Sequence, residues 1–344
     1  MSQMLREIAQ QPEVLERTIK AEESKLDTIG KLIRNRDIDL IIMVARGSSD
    51  NAALFGRYLL ETRTGIPVSL AAPSVYTLYG AKMRLDRALV VGVSQSGEGS
   101  DINEVLEQSK KFGAFTLGIT NNRASSITKI ADETLLIHAG KERSVAATKT
   151  YTGQMLHFYL LANALLPESK RIDLHGIPEY SNNVLALDSE IKSLAERYIF
   201  MENCVVVGRG LNYGNSFELA LKLMETCYVV AERFSSADFF HGPLAIVERR
   251  FPVIMFSPKG KTRDLNLRLL AQLASLNADS FAITNDKSVA RKSTRHLMLP
   301  DEINEVLSPI PFIIPAQLFV AHLSEAKGLD PDQPRSLSKV TKTR

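Results

Sequence analysis

The sequence predicts an α/β chain built from two similar units in tandem, each a doubly wound parallel sheet flanked by helices. Three observations carry this. Short apolar runs alternate with amphipathic stretches, a whole block of sequence recurs further along the chain, and turns rich in glycine and hydroxyls follow the apolar runs.

The recurrence fixes the frame. VARGSSDNAALFGRYLLE starts at Val44 and VGRGLNYGNSFELALKLME at Val207, an offset of 163 residues. At that offset VSQSGEGSD (Val93–Asp101) falls on FSPKGKTRD (Phe256–Asp264), pairing Ser94 with Ser257, Gly97 with Gly260 and Asp101 with Asp264. In order, residues 2–35 read as a charged helical arm. Strands follow at 39–44, 67–71, 88–93, 114–119 and 133–138, with helices at 50–62, 74–80, 101–112, 124–131 and 148–166. The second copy shows strands at 203–208, 227–232, 252–256 and 279–284 and helices at 213–226, 263–276 and 311–327. The expected domains are an arm (1–36), a first unit (37–168), a linker helix (169–197), a second unit (198–332) and a tail (333–344).

Composition narrows the function. With 42 Lys and Arg against 39 Asp and Glu, scattered along 344 residues, the chain has no basic patch that would read as a nucleic-acid footprint. Hydrophobic residues at 44% and charged residues at 24% are those of a chain that folds on its own. Its two cysteines, Cys204 and Cys227, make neither a disulfide framework nor a CxxC pair, and imply a reducing compartment. No apolar stretch approaches the roughly 18 residues needed to cross a bilayer, and the first residues lack a signal-peptide core. A cytoplasmic protein with no membrane and no nucleic-acid partner is expected.

In such a sheet ligands bind beyond the carboxyl ends of the strands. Two loops there are rich in hydroxyls: Arg46-Gly47-Ser48-Ser49, and Ser94-Gln95-Ser96-Gly97 leading to Ser100. Each opens a helix, where free N–H groups and the dipole favour an anion such as a phosphate. Either loop alone also reads as an ordinary N-cap. The second copy's Ser257-Pro258-Lys259-Gly260 has lost most of these hydroxyls, so the first copy is expected to bind the phosphate. Gly92-Val93-Ser94-Gln95-Ser96 begins like a serine hydrolase elbow but lacks the final glycine.

The second copy carries Glu218, Lys222 and Glu225 on one helix face, followed by Ser235-Ser236-Ala237-Asp238-Phe239-Phe240-His241-Gly242-Pro243. The triplet reads either as a surface ion-pair ladder or as acid–base machinery. His241 stands before a turn, and no His or Cys spacing suggests a metal.

Together these segments resemble the sugar isomerase (SIS) domain family, in particular the two-domain isomerase half of glucosamine-6-phosphate synthases and related stand-alone deaminases. The resemblance rests on SQSGE at 94–98, VAATK at 145–149, the helix Glu218–Glu225, the His241-Gly242-Pro243-Leu244 turn and the tail DQPRSLSK ending at Lys339. It implies that Ser48, Ser49, Ser94, Gln95, Ser96 and Ser100 surround the sugar phosphate, with Ala147, Thr148 and Glu218 also lining the substrate. It further implies that Glu225 moves a proton between C1 and C2, that His241 assists ring opening from across a homodimer interface, and that Lys222 and Lys339 are cations beside the reacting oxygens. Three positions depart from the family: Gly99 and Ala147 replace hydroxyls, and Met224 replaces a lysine.

Because Met1-Ser2 leads directly into the helical arm, the expected activity is the ammonia-releasing one. Glucosamine 6-phosphate becomes fructose 6-phosphate with no nicotinamide, pyridoxal phosphate or metal cofactor. A fructosamine 6-phosphate deglycase, a glutaminase-less synthase-type isomerase and a non-catalytic sugar-phosphate sensor are the alternatives.

Overall fold

The computed structural model describes residues 1–339. Its first half runs α1 (Gln3–Ala9), α2 (Gln11–Glu22), α3 (Leu26–Arg34), β1 (Leu40–Val44), α4 (Ser48–Thr64), β2 (Val68–Leu70), α5 (Pro73–Thr77), β3 (Ala88–Val93), α6 (Ser100–Lys111), β4 (Phe115–Thr120), α7 (Ile127–Ile130), β5 (Glu133–Leu136) and α8 (Lys149–Leu165). Two helices follow, α9 (Gly176–Leu185) and α10 (Asp188–Glu196). The rest is β6 (Asn203–Gly208), α11 (Tyr213–Cys227), β7 (Val230–Ser235), α12 (Ser236–Phe240), β8 (Pro252–Ser257), α13 (Arg263–Ser275), β9 (Asp279–Thr284), α14 (Lys287–Lys292), β10 (Arg295–Met298) and α15 (Pro309–Ala326).

The chain divides into two compact units. One comprises Glu13–Glu142 and Lys149–His175 with Ser338 and Lys339 of the tail; the other comprises Met1–Pro12, Arg143–Thr148 and Gly176–Leu337. The helical arm is therefore shared, its first dozen residues belonging to the second unit.

In the first unit the sheet order is β2-β1-β3-β4-β5, every pair parallel. β3 (ALVVGV) and β4 (FTLGIT) are buried at every residue, as unbroken apolar runs must be when helices cover both faces. α4 and α8 pack closely at Gly56, where a Cβ would come within 2.6 Å of the Phe158 ring. A larger residue there would push the two helices apart.

The second unit repeats the topology as β10-β9-β8-β6-β7, again all parallel. Its central helix α15 is apolar on nearly all sides and buried from Pro309 to Ser324. Three elements exceed the sequence expectation, α12, α14 and the edge strand β10, and a fourth is displaced. β7 starts at Val230, not 227, because α11 continues to Cys227 and ends on Tyr228 in the left-handed region (φ 55°), whose N–H donates to the carbonyl of Leu223. Asp332 accepts the N–H groups of Gln3 and Met4 at 2.6 and 2.8 Å, placing a carboxylate on the positive end of α1. The Arg335 guanidinium lies 3.6 Å from the centre of the Tyr228 ring, and its backbone N–H donates to the Tyr228 hydroxyl. Among the described residues no helix is long and apolar enough to cross a membrane.

Candidate active site

In the first sheet, β1 connects to β2 on one side while β3 connects to β4 on the other, so the crevice between the ends of β1 and β3 is the topological switch point. Both hydroxyl loops leave from there. After β1, Gly47 adopts φ 56°, and its carbonyl accepts from the N–H groups of Asp50 and Asn51 as α4 begins. Ser49 is buried and its hydroxyl accepts from Nε2 of Gln154 on α8 at 2.9 Å, while Ser48, one residue earlier, is half-buried.

After β3 the loop closes on Ser94, whose hydroxyl accepts from the N–H of Gly97 at 3.0 Å. Gly97 has φ 70°, and a Cβ there would lie 2.2 Å from the Ser125 hydroxyl, so only glycine fits. The Ser96 hydroxyl accepts from the N–H of Glu98, whose carboxylate in turn accepts from the N–H and hydroxyl of Ser126. The Ser126 hydroxyl lowers the Glu98 titration below that of an ordinary carboxylate. Gln95 and Ser96 are half-buried, and Ser100 stands exposed as the first residue of α6.

Arg46 ties the two loops, its Nε donating to the buried carboxylate of Asp101 at 2.7 Å. Asp50, solvent-accessible on the first turn of α4, is raised above its usual value by partial desolvation of its carboxyl among neighbouring atoms, with the Arg46 charge opposing. The sequence does not single out Gln154, and it marks Asp101 only as the repeat counterpart of Asp264. Each reaches the loop after β1 from another helix, 105 and 55 residues along the chain.

In the second unit α11 carries the acid–base triplet. The Lys222 ammonium lies 2.6 Å from Oε2 of Glu225 and 3.4 Å from Oε1 of Glu218. The side chains of Glu218 and Lys222 are 0% and 1% exposed and that of Glu225 is 23% exposed. The triplet is thus not a surface ladder but a buried ion pair opening on one accessible carboxylate. Burial acts to lower the Lys222 titration, yet the charges of Glu218 and Glu225 outweigh it and raise it above that of an ordinary lysine. The ammonium is thereby shared between a buried carboxylate, Glu218, and the more accessible Glu225.

His241 is exposed at the end of α12, directly before Gly242 (φ 126°). Ser235 caps α12 by accepting from the N–H of Ala237. Thr148 is buried, with its carbonyl accepting from Nε2 of Gln317, and Ala147 beside it is half-buried.

The loop equivalent to the serine loop, at the β8 end, is filled from within. The N–H of Lys261 donates to Oε2 of Glu305 at 2.9 Å, and a Cβ on Gly260 would meet the same carboxylate oxygen at 2.2 Å. Among the described residues, no cluster of three or more His, Cys, Asp or Glu could hold a metal.

Lys339, back in the first unit, donates to Oε2 of Glu142 at 2.7 Å. Glu142 is 0% exposed at its side chain and also accepts from the N–H and hydroxyl of Thr150. Sequence reading passed over Glu142, which stands between Lys141 and Arg143 and looks like one charge in a solvated loop.

The SIS domain model matches residues 36–164 and 201–324, one span over each parallel sheet. The chain belongs to the SIS domain family. Glutamine–fructose-6-phosphate aminotransferase (isomerizing) of Aquifex aeolicus is 33% identical over 341 residues, which are 98% of this chain and 57% of that protein. The chain therefore spans little more than half the length of this relative. The C-terminal domain of glucosamine-fructose-6-phosphate aminotransferase from Francisella tularensis superposes with a TM-score of 0.88 at 30% identity, over 97% of this chain and 98% of that one. Glucosamine-6-phosphate deaminase from Thermotoga maritima shares the fold, with a TM-score of 0.77 at 23% identity over 99% of this SIS chain and the whole of the other.

Proposed function

We propose that this SIS protein is an isomerising deaminase that converts glucosamine 6-phosphate and water to fructose 6-phosphate and ammonia. The observation that carries the reading is the buried Lys222 shared by Glu218 and the accessible Glu225. An accessible carboxylate backed by a buried ammonium suits a base that must take a carbon-bound proton and return it.

Ser49, Ser94, Gln95 and Ser96 hold the phosphate, with Ser48 and Ser100 at the loop margins, and the switch-point position of both loops supports this assignment. His241 assists opening of the sugar ring, acting across the interface of a homodimer. Glu225 takes the C2 proton of the open aldehyde and delivers it to C1, leaving an imine at C2. Water adds to the imine carbon and the C–N bond breaks, releasing ammonia and leaving the ketose. Lys222 offsets the negative charge that develops on oxygen during the transfer.

The aminotransferase relatives favour a second reading, aldose–ketose isomerisation without ammonia release. One assay separates the two. Glucosamine 6-phosphate is supplied to wild type and Glu225→Gln, and ammonia and fructose 6-phosphate are measured in the same tube. Equal yields from wild type, lost in the variant, establish the deaminase. Interconversion of glucose 6-phosphate and fructose 6-phosphate without ammonia establishes the isomerase. Tight binding with no turnover of these sugars points to the fructosamine 6-phosphate deglycase first and to a sensor second.

A further inference from the structure

Glu142 is a fully buried carboxylate in a loop, and burying such a charge is unfavourable unless it is paired and hydrogen-bonded. Both conditions are met, by groups far apart in sequence. The N–H and hydroxyl of Thr150, at the start of α8, hold the carboxylate at 3.1 and 2.7 Å. The backbone around it is pinned as well: Lys149 donates its ammonium to the carbonyl of Lys141, and Asn121 donates to the carbonyl of Gly140. The cation is Lys339, 197 positions further along, with its Nζ 2.7 Å from Oε2.

We propose that Glu142 is the positioning residue for the tail: its fixed, buried carboxylate holds the ammonium of Lys339 and thereby sets where that lysine stands. A capping role for α8 alone is the competing explanation. It accounts for the contacts to Thr150, but it requires no cation, and it makes the tail indifferent to residue 142. The consequence for turnover rests on the deaminase reading given above; the docking of the tail does not.

The test uses full-length protein and two variants. Glu142→Gln keeps an oxygen for Thr150 and removes the charge, while Lys339→Met removes a lysine whose side chain is 25% exposed. Trypsin cuts after Lys339, and release of residues 340–344 is followed by mass spectrometry. Losing a charge-assisted hydrogen bond corresponds to a change of about tenfold or more in local opening. Expected results are cleavage after Lys339 about tenfold faster in Glu142→Gln, and amide exchange over residues 336–339 about tenfold faster in Lys339→Met. With glucosamine 6-phosphate, kcat should fall in Glu142→Gln more than KM rises.

Wild-type rates of cleavage in the first variant and of exchange in the second would overturn the proposal. If Glu142→Gln does not fold, the exchange measurement on Lys339→Met decides alone. Absence of ammonia release from wild type would remove the deaminase reading while the protease and exchange results still decide the role of Glu142.

Discussion

Lys222 and Glu218 form an ion pair whose two side chains are almost wholly out of solvent, the ammonium 3.4 Å from the carboxylate oxygen. Removing one partner of a buried pair leaves the other charge without compensation, at about 3–5 kcal/mol. Lys222→Met should therefore lower unfolding stability by about that amount, measured by urea titration at pH 7. Lys222 titrates above its ordinary value, so its contribution is complete below about pH 10.4 and declines as pH rises through the raised folded-state value. The gap between wild type and variant should stay constant from pH 7 to 10; a gap that closes within that window would contradict the pairing.

Ser94 offers a sharper view of the loop after β3. Its hydroxyl already accepts the Gly97 N–H, which leaves its own proton available to a phosphate oxygen. Ser94→Ala should weaken binding of glucosamine 6-phosphate about tenfold by calorimetry and cost about 1 kcal/mol of stability. Unchanged affinity would reduce Ser94 to a turn residue.

Gly97→Ala should be more severe than Ser94→Ala in stability. The left-handed backbone costs about 1–2 kcal/mol for a residue with a Cβ, and the new methyl would stand on the Ser125 hydroxyl. We expect a loss of about 2 kcal/mol or more in chemical unfolding, with sugar-phosphate binding lost in parallel. A variant as stable as wild type would show that the loop has another conformation open to it.

The two cysteines should be inert. Burial pushes both the Cys204 and Cys227 thiols up to about 12, leaving almost no thiolate at pH 8. Labelling with a disulfide reagent should proceed only after denaturant is added; rapid labelling of native protein would mean that one of these sites opens readily.

How far the sequence reveals this molecule depends on where each signal resides. The central strands announce themselves because burial on both faces demands apolar runs, as in ALVVGV and FTLGIT. β10 does not: of Arg295, His296, Leu297 and Met298 only Leu297 is fully buried, and the strand exists through its parallel pairing with β9. α14 is likewise short, and is started by the Asp286 side chain accepting from Ser288 and Val289 more than by an apolar face. At the site, the serine loops and the Glu218–Lys222–Glu225 spacing are local patterns and were readable. Glu142, Gln154 and Asp101 were not, because their partners Lys339, Ser49 and Arg46 lie 197, 105 and 55 residues away.

The carboxylate of Glu305 gives the duplication a direction. Both copies inherit a turn whose backbone N–H groups seek an anion, and in the second copy the chain supplies that anion itself. A tethered carboxylate is present at a high effective concentration, so the Lys261 N–H finds its acceptor within the chain. The two turns share a place in the repeat and differ in what meets them: in the second it is a carboxylate of the same chain.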